Sequence, residues 1–336
     1  MINMKALPYI SIVIVSLNNE RTLSECLRGI KDQDYPQDNI EYLAIDGGSI
    51  DETVAIFKKF HFRVIASPIL KNAEAQRAIG LKLASHNLIV SIDADNYLPT
   101  RLWLRQMVRP FMEDPMVIHA GTMYYGYRRT DSLYNRYVGL FGNVDPIVYY
   151  IGRPDRLPRY QKCWTSGKII SDRRAYTVVE FDTNTLPTVG CNGVVYRRDI
   201  LLKYSKSTPK DFLHIDVFVD AIKSGHRRFV IVKNDVIHDT AVSLPALMKK
   251  RIAFLSHYYL ASETNRRYLI YDPHSTKSNM KLHLYIFYTM TMVKPCFDAL
   301  RGFFYIADVA WFVHPLICWI YLLSYGRAII KRTIRL

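Results

Sequence analysis

An apolar run that ends on two closely spaced carboxylates constrains this 336-residue chain more than any other stretch. Leu88 to Ile92 has the near-continuous apolarity of a strand buried on both faces, and Asp93 and Asp95 follow it directly. A strand in a parallel sheet delivers its last residues to the edge where open α/β folds bind ligands. Two carboxylates repel each other there, so a divalent cation carrying a diphosphate would compensate their charge. Because Asp-x-Asp also occurs in solvated turns, the flanking segments decide between the two interpretations.

The segments before this run alternate between strand and helix patterns. Strands are predicted at 9–15, 41–45 and 62–66, and helical periodicity follows each of them. Alternation at this spacing predicts a doubly wound, mostly parallel α/β sheet. The loops after its strands share one edge, where we expect these residues to meet: Ser16, Asn18, Glu20, Asp46, Arg77, Asp93, Ala94 and Asp95.

Two of these residues have alternative explanations of similar weight. Asp46 ends a predicted strand, where its carboxylate can accept a hydrogen bond from a base or a ribose hydroxyl, or simply shape a turn at a helix entry. Arg77 lies one turn into a predicted helix. Its guanidinium either reaches a phosphate or belongs to a solvated helix face.

Four motifs occur in order within about the first 120 residues, and their combination is specific although each is weak alone. They are Val-Ser-Leu-Asn-Asn-Glu from residue 15, Ile-Asp-Gly-Gly-Ser-x-Asp-x-Thr from 45, Ala-Gln-Arg-x-x-Gly-Leu from 75, and Ile-Asp-Ala-Asp-Asn from 92. This series resembles the nucleotide-sugar-binding half of family 2 glycosyltransferases, which have the GT-A fold. The resemblance implies a nucleoside-diphosphate sugar, with a UDP-sugar favoured, bound by the Asn18–Glu20 loop and Asp46. It places Asp93 near the ribose or sugar and makes Asp95 the main ligand of Mn²⁺ or Mg²⁺.

A second group of motifs lies between residues 188 and 238. Gly190, Asn192 and Gly193 allow the backbone to approach a ligand, or form an ordinary turn. They resemble the family segment that lines the donor sugar and the acceptor. Asp216 matches the aspartate that deprotonates the acceptor hydroxyl, although Ile215 replaces the glutamate that commonly precedes it. The alternative is an acidic residue favoured by the dipole at a helix start.

His238 follows a late predicted strand and resembles the third metal ligand of the family, whereas a lone histidine is more often structural. Residues 124–173, rich in tyrosine and arginine, are either a partly ordered surface excursion or an acceptor-binding or membrane-facing lobe. The sequence thus predicts a catalytic domain at 1–240. Its nucleotide-sugar half is 1–123 and its acceptor half is 124–240.

The carboxyl-terminal part is predicted to meet a membrane. Residues 241–281 form a basic amphipathic helical region, which suits anionic lipid. Lys249-Lys250-Arg251-Ile252 stands where processive synthases of the family have Gln-x-x-Arg-Trp, so we expect one sugar per binding event. Residues 282–336 are an apolar, membrane-anchoring region with a basic tail, whose segments 282–293 and 302–326 suggest a hairpin. Core helices of a soluble extension, with an oligomer interface among them, are the alternative.

Charge and cysteine content narrow the functional class. The formal charge of +15 suggests an anionic partner, and without a nucleic-acid motif we expect nucleotide phosphates and a membrane rather than nucleic acid. Five scattered cysteines favour a reducing compartment, hence the cytoplasmic face of the cell membrane. Together with these constraints, the resemblance to family 2 glycosyltransferases implies metal-dependent, inverting transfer of one sugar to a hydroxyl of a lipid-linked or cell-surface saccharide. The rivals are transfer to polyprenyl phosphate and a non-catalytic nucleotide-binding membrane adaptor.

Overall fold

The computed structural model describes residues 7–205, 208–240, 243–256 and 266–335. Residues 241–242 and 257–265 of the predicted basic region lie outside the described residues. The chain divides into two compact units, each described by itself below. The sheet unit comprises Met1–Met123 and Thr165–Ile237, and the helical unit comprises Tyr124–Trp164 and His238–Leu336. The predicted functional divisions at 240 and 281 stay a prediction.

One mixed sheet organises the sheet unit. Its ten strands are β1 Ile10–Ser16, β2 Ile40–Asp46, β3 Arg63–Ala66, β4 Leu88–Asp93, β5 Asn96–Tyr97, β6 Val117–Tyr125, β7 Lys168–Asp172, β8 Tyr176–Glu180, β9 Val194–Arg197 and β10 Arg228–His238. Their order is β3-β2-β1-β4-β9-β6-β10-β8-β7, with β5 paired to β10. The predicted strands β1 to β4 pair in parallel, which confirms the doubly wound half of the sheet.

Helices pack on this parallel half of the sheet because each buries an apolar face there. The helices of the unit are α1 Glu20–Lys31, α2 Thr53–Lys59, α3 Ala73–Leu83, α4 Trp103–Glu113, α7 Arg198–Tyr204 and α8 His214–Lys223. In α1 the apolar stripe of Leu23, Cys26, Leu27 and Ile30 is fully buried. Helix α3 lies so close to β1 that a Cβ atom on Gly80 would be 2.5 Å from Val13 Cγ1. This close packing fixes the position of α3 relative to β1.

The second half of the sheet contains antiparallel pairs and brings a distant loop to the end of β4. Strand β9 runs antiparallel to β4, with Ser91 opposite Val194. The start of β9 consequently lies beside the end of β4. The residues that immediately precede Val194 therefore reach the same edge as Asp93.

The helical unit contains α5 Leu133–Phe141, α6 Pro146–Ile151, α9 Leu244–Phe254, α10 Thr276–Thr291, α11 Val293–Tyr305 and α12 His314–Arg335. Residues 124–164 belong to it with buried side chains such as Tyr137 and Phe141, so the interpretation as a partly ordered surface excursion is wrong for that part. Arginines of this segment contact other residues of the helical unit. Arg156, for example, is 2% exposed, pairs with Asp155 at 2.6 Å and lies over the Tyr125 ring.

The carboxyl-terminal helices expose apolar side chains and bury polar ones. Within the helical unit, Asp308 accepts a hydrogen bond from the Tyr127 hydroxyl at 2.6 Å and pairs with Arg136 at 3.1 Å. The large exposed apolar residues include Met280, Phe287, Val293, Phe297, Phe304 and Leu316. Among the described helices, one segment, Val309–Lys331, is long and apolar enough to cross a membrane, with a mean hydropathy of 1.4 and 39% of its window buried. Helix α10, with 16 residues, is shorter than the roughly 20 residues a span needs, so the predicted hairpin lacks a second spanning helix there.

Candidate active site

The turn after β4 presents the two carboxylates that the sequence singled out. Asn96 is completely buried, and its Oδ1 accepts a hydrogen bond from the Asp93 backbone N–H at 3.0 Å. Ala94 is buried, whereas Asp93 and Asp95 are half-buried. A short amide side chain thus closes the turn, as Asn commonly does. Two hard oxygen ligands remain at the edge of the sheet.

The loops after β1 and β2 are tied to each other. Asp46, 5% exposed, accepts hydrogen bonds from the backbone N–H groups of Gly48 and Ser49, both at 3.0 Å. The Asp46 carboxylate therefore organises the turn after β2, in agreement with its interpretation as a turn residue. Asn18, with φ of 53°, accepts from Ile50 N–H at 2.9 Å, and Glu20 accepts from Glu52 N–H at 3.1 Å. The loops after β1 and β2, which carry residues predicted to bind the sugar donor, thus form one polar rim.

Several buried polar atoms at this edge lack hydrogen-bond partners within the described part of the chain. They include Ser16 Oγ, at the end of β1, Arg77 Nε, in α3, and Asn96 Nδ2, in the turn that follows β4. Buried polar atoms without partners are rare because each costs free energy. Their presence in the predicted donor region fits a polar ligand.

Arg77 does not lie on a solvated helix face. Its side chain is 12% exposed, Nη1 pairs with Glu74 at 3.0 Å, and Nη2 pairs with Asp93 at 2.7 Å. Burial alone would lower the pKa of Arg77, but the neighbouring Asp93 and Glu74 carboxylates raise it. The guanidinium is therefore a fixed cation behind Asp93, which remains 26% exposed and accessible to a ligand.

The Gly190–Gly193 segment reaches this edge through β9. Gly193 N–H donates to the Ser91 carbonyl of β4 at 3.0 Å. Its φ is +66°, and a Cβ there would be 2.9 Å from Val236 Cγ1, so only glycine fits without strain. Asn192 beside it is 7% exposed. The predicted acceptor loop and the β4 carboxylates therefore share one side of the sheet unit.

Asp216 lies in the first turn of α8 and is 2% exposed. The start of α8 is tied to α3, because the His214 backbone N–H and ring Nδ1 lie 3.1 and 2.8 Å from Glu74 Oε2. Through Glu74, Arg77 and Asp93, the helix that carries Asp216 is linked to the end of β4. Neither Glu74 nor His214 was predicted as a site residue. An acidic residue three positions before Arg77 on a helix was the available signal for Glu74.

The donor chemistry of this edge suits a hard divalent cation. Asp93 and Asp95 supply carboxylate oxygens, which Mn²⁺ and Mg²⁺ prefer. Across the described residues of the sheet unit, no trio of His, Cys, Asp or Glu side chains is positioned to hold a metal. Within the sheet unit, Asp93 and Asp95 are thus the two carboxylates at the end of β4. His238 opens the helical unit, where its ring packs 5.4 Å from that of Tyr125, and its role as a third ligand stays a prediction.

Comparison with known proteins decides the family. Residues 11–202 match the family model described as "Glycosyl transferase family 2". The chain belongs to glycosyltransferase family 2. The match begins at the second residue of β1 and contains β2 to β4, all the residues predicted to bind the sugar donor, and the Gly190–Gly193 segment. This family 2 chain is therefore an enzyme, which contradicts the alternative of a non-catalytic adaptor.

Two curated relatives and one solved structure are similar to it. A dolichyl N-acetyl-alpha-D-glucosaminyl phosphate 3-beta-D-2,3-diacetamido-2,3-dideoxy-beta-D-glucuronosyltransferase of Methanococcus voltae is 41% identical over 34% of this chain and 38% of its own length. Glycosyltransferase AglE of Haloferax volcanii is 24% identical over 39% of this chain and 44% of its own length. The matches thus span less than half of each relative. The mannosyltransferase PcManGT of Pyrobaculum calidifontis, solved with GDP-Man and Mn²⁺, covers 97% of this chain and 87% of its own, with 14% identity and a TM-score of 0.55. This likeness confirms the predicted GT-A fold.

Proposed function

We propose that this glycosyltransferase is a metal-dependent, inverting enzyme that moves one sugar from a UDP-sugar to a hydroxyl of a lipid-linked or cell-surface saccharide. One observation carries the proposal. Of the two half-buried carboxylates at the end of β4, Asp93 pairs with the largely buried cation Arg77, at the edge of the sheet where Ser16 Oγ lacks a partner among the described residues. A ligand with hydroxyl and phosphate groups would satisfy this arrangement.

The residues divide the chemical work between them. Ser16, Asn18, Glu20 and Asp46 would hold the nucleoside, and the Gly190–Gly193 segment would admit the acceptor. The Asp216 carboxylate would take the proton of the acceptor hydroxyl while that oxygen attacks the anomeric carbon. As the new bond forms, the bond from the anomeric carbon to the diphosphate oxygen breaks, and the diphosphate keeps the electron pair.

Asp93 and Asp95 would hold a divalent cation, and His238 is a candidate third ligand. When bound, such a cation supplies positive charge to the departing diphosphate. The similar Pyrobaculum calidifontis mannosyltransferase was solved with GDP-Man and Mn²⁺, which supports a divalent cation and makes GDP-sugars necessary competitors in any test.

A donor screen tests the proposal directly. The full-length protein is titrated with UDP- and GDP-sugars with Mn²⁺, with Mg²⁺ and with EDTA, and binding is followed by calorimetry. We expect one UDP-sugar to bind in the presence of metal and to lose at least about tenfold in affinity with EDTA. Metal-independent binding, or binding of GDP-sugars alone, would contradict the corresponding part of the proposal.

We further infer that the helical unit docks on the cytoplasmic face of the cell membrane. Val293 and Phe304 are 70% and 84% exposed, and helices α10 and α11 have 16 and 13 residues. Helices that are too short to span and that expose apolar side chains suit insertion into one leaflet, with α12 as an anchor. The exposed cations Lys277 and Arg301 suit anionic headgroups.

Replacing two exposed apolar side chains should release the protein from lipid. Phe287→Lys combined with Phe297→Lys removes side chains that are 60% and 59% exposed, so folding should be little affected. Each buried Phe contributes about 1.5–3 kcal/mol, so liposome flotation should fall about 100-fold in partition coefficient. Met116→Lys, at a sheet-unit residue that is 56% exposed, is the matched control. Equal flotation of all three proteins in 1 M salt would show that this apolar face is covered by protein instead.

A further inference from the structure

The histidine at the start of α8 has hydrogen-bond acceptors on both ring nitrogens. His214 Nδ1 lies 2.8 Å from Glu74 Oε2, and Nε2 lies 2.9 Å from the Val189 carbonyl oxygen. A carbonyl oxygen only accepts hydrogen bonds, so Nε2 carries a proton. An ionised carboxylate also only accepts, so Nδ1 carries one as well. If Glu74 is ionised, the ring is therefore an imidazolium.

Glu74 has the surroundings of an ionised carboxylate. It is 4% exposed and receives His214 N–H, His214 Nδ1 and Arg77 Nη1 at 3.1, 2.8 and 3.0 Å. Burial alone would raise the pKa of Glu74, but His214 and Arg77 lower it to about 2. The proton between the two side chains thus belongs to His214.

The other groups around His214 favour the same state. Burial alone would lower the pKa of the His214 imidazole, but Cys191 and the Glu74 carboxylate raise it well above its usual value. A cation at the first residue of a helix opposes the helix dipole. Helix stability therefore does not explain a charged histidine at this position, whereas pairing with Glu74 does.

The charges alternate along one connected chain of side chains. His214 pairs with Glu74, Glu74 with Arg77 at 3.0 Å, and Arg77 with Asp93 at 2.7 Å. If His214 were neutral, the full charge of Glu74 would act on Arg77 alone. The guanidinium would then be drawn from Asp93 toward Glu74, and Asp93 would lose its fixed partner.

We propose that His214 is a permanently protonated positioning residue, whose charge balances Glu74 so that Arg77 stays on Asp93. The same contacts hold the first turn of α8, and with it Asp216, in register with the end of β4. This role rests on the proposed function, because it assigns His214 to the geometry of the donor carboxylate and the base.

The protonation state is measured on the full-length wild-type protein. With ¹⁵N-labelled histidine and the His214 signals assigned by their loss in His214→Gln, we expect both ring nitrogens to show protonated shifts at pH 8. One protonated and one bare nitrogen at that pH would overturn the proposal. This measurement does not require activity. A bare ring nitrogen would therefore overturn the role of His214 without contradicting glycosyl transfer, and an inactive protein would still give an interpretable protonation state.

Charge balance is tested by a pair of variants. His214→Gln should reduce kcat/KM for the donor about 10–100-fold, as expected for a residue behind a ligand-binding carboxylate. The double variant H214Q/E74Q removes both charges, so it should recover at least about threefold of that loss. A double variant that is as impaired as His214→Gln or worse would overturn the charge-balance role. His226→Gln, at a ring that meets the Tyr204 hydroxyl just after the same helix, is the matched control and should leave kcat/KM unchanged.

The stability difference between wild type and His214→Gln should depend on pH. A raised pKa in the folded state gives stabilisation that is complete below the unfolded value of about 6.5 and declines as pH rises toward the folded value. The gap in Tm should therefore be largest at pH 6 and shrink steadily above pH 7. A gap that grows with pH would contradict a protonated His214.

Discussion

Asp216→Asn should lower sugar transfer by about 10²–10⁴-fold while metal-dependent donor binding stays within about twofold of wild type. Asparagine keeps the size of the side chain but cannot accept the proton of an acceptor hydroxyl. Asp216 is 2% exposed in the first turn of α8, so bulk water has little access to its carboxylate. Single-turnover transfer and donor calorimetry on the same preparation separate the two effects.

The neighbouring carboxylate provides the control for this substitution. Asp220 lies one turn further along α8 and is half-buried, so Asp220→Asn should leave transfer near the wild-type rate. If Asp216→Asn retained most of its transfer, the hydroxyl-acceptor mechanism would be wrong. The rival acceptor, polyprenyl phosphate, would then lead, because an ionised phosphate oxygen attacks without a base.

Asp95→Asn should abolish the advantage that Mn²⁺ gives to donor binding and reduce kcat/KM at least about 100-fold. The substitution removes one of the two charges that would hold the cation but keeps the volume of the side chain. In the proposed function Asp95 is the main ligand of the cation, whereas Asp93 also pairs with Arg77 at 2.7 Å. Calorimetry with and without EDTA measures the loss.

Asp38→Asn serves as the control here, since Asp38 is exposed in the short 3₁₀ turn Gln37–Asn39 before β2. Its substitution alters the net charge by the same amount and should not change donor binding. If Asp95→Asn bound the donor with wild-type affinity and retained its dependence on Mn²⁺, the cation would lie elsewhere. The assignment of the β4 carboxylates to the metal would then fail.

The parallel half of the fold follows from local patterns. Strands β1 to β4 are short apolar runs, each followed by helical periodicity, and their polar ends converge because parallel strands share one carboxyl edge. The antiparallel strands β7 and β8 were not predicted. The pairing of β8 with β10 joins segments about 50 residues apart, and no local period records such a contact.

The site was predictable where residue type and position act locally. Asp93 and Asp95 lie at the end of a strand. Asn96 closes the turn there by accepting a hydrogen bond from the backbone N–H of Asp93, three residues earlier. The pairing of His214 with Glu74 spans 140 residues, so no motif in either segment reveals it. Arg77 was predicted as a residue that binds the sugar donor, but its pairing with the Glu74 and Asp93 carboxylates depends on how α3 packs on the sheet.

The most direct test of the central claim is transfer itself, measured in membranes with each UDP- and GDP-sugar, with Mn²⁺ and with EDTA, and with the product analysed by mass and by NMR. We expect one UDP-sugar to add a single residue to a saccharide hydroxyl only with metal, with the anomeric configuration opposite to that of the donor. A sugar attached with retained configuration, or transfer that is equal in EDTA, would contradict the mechanism derived from Asp93, Asp95 and Asp216.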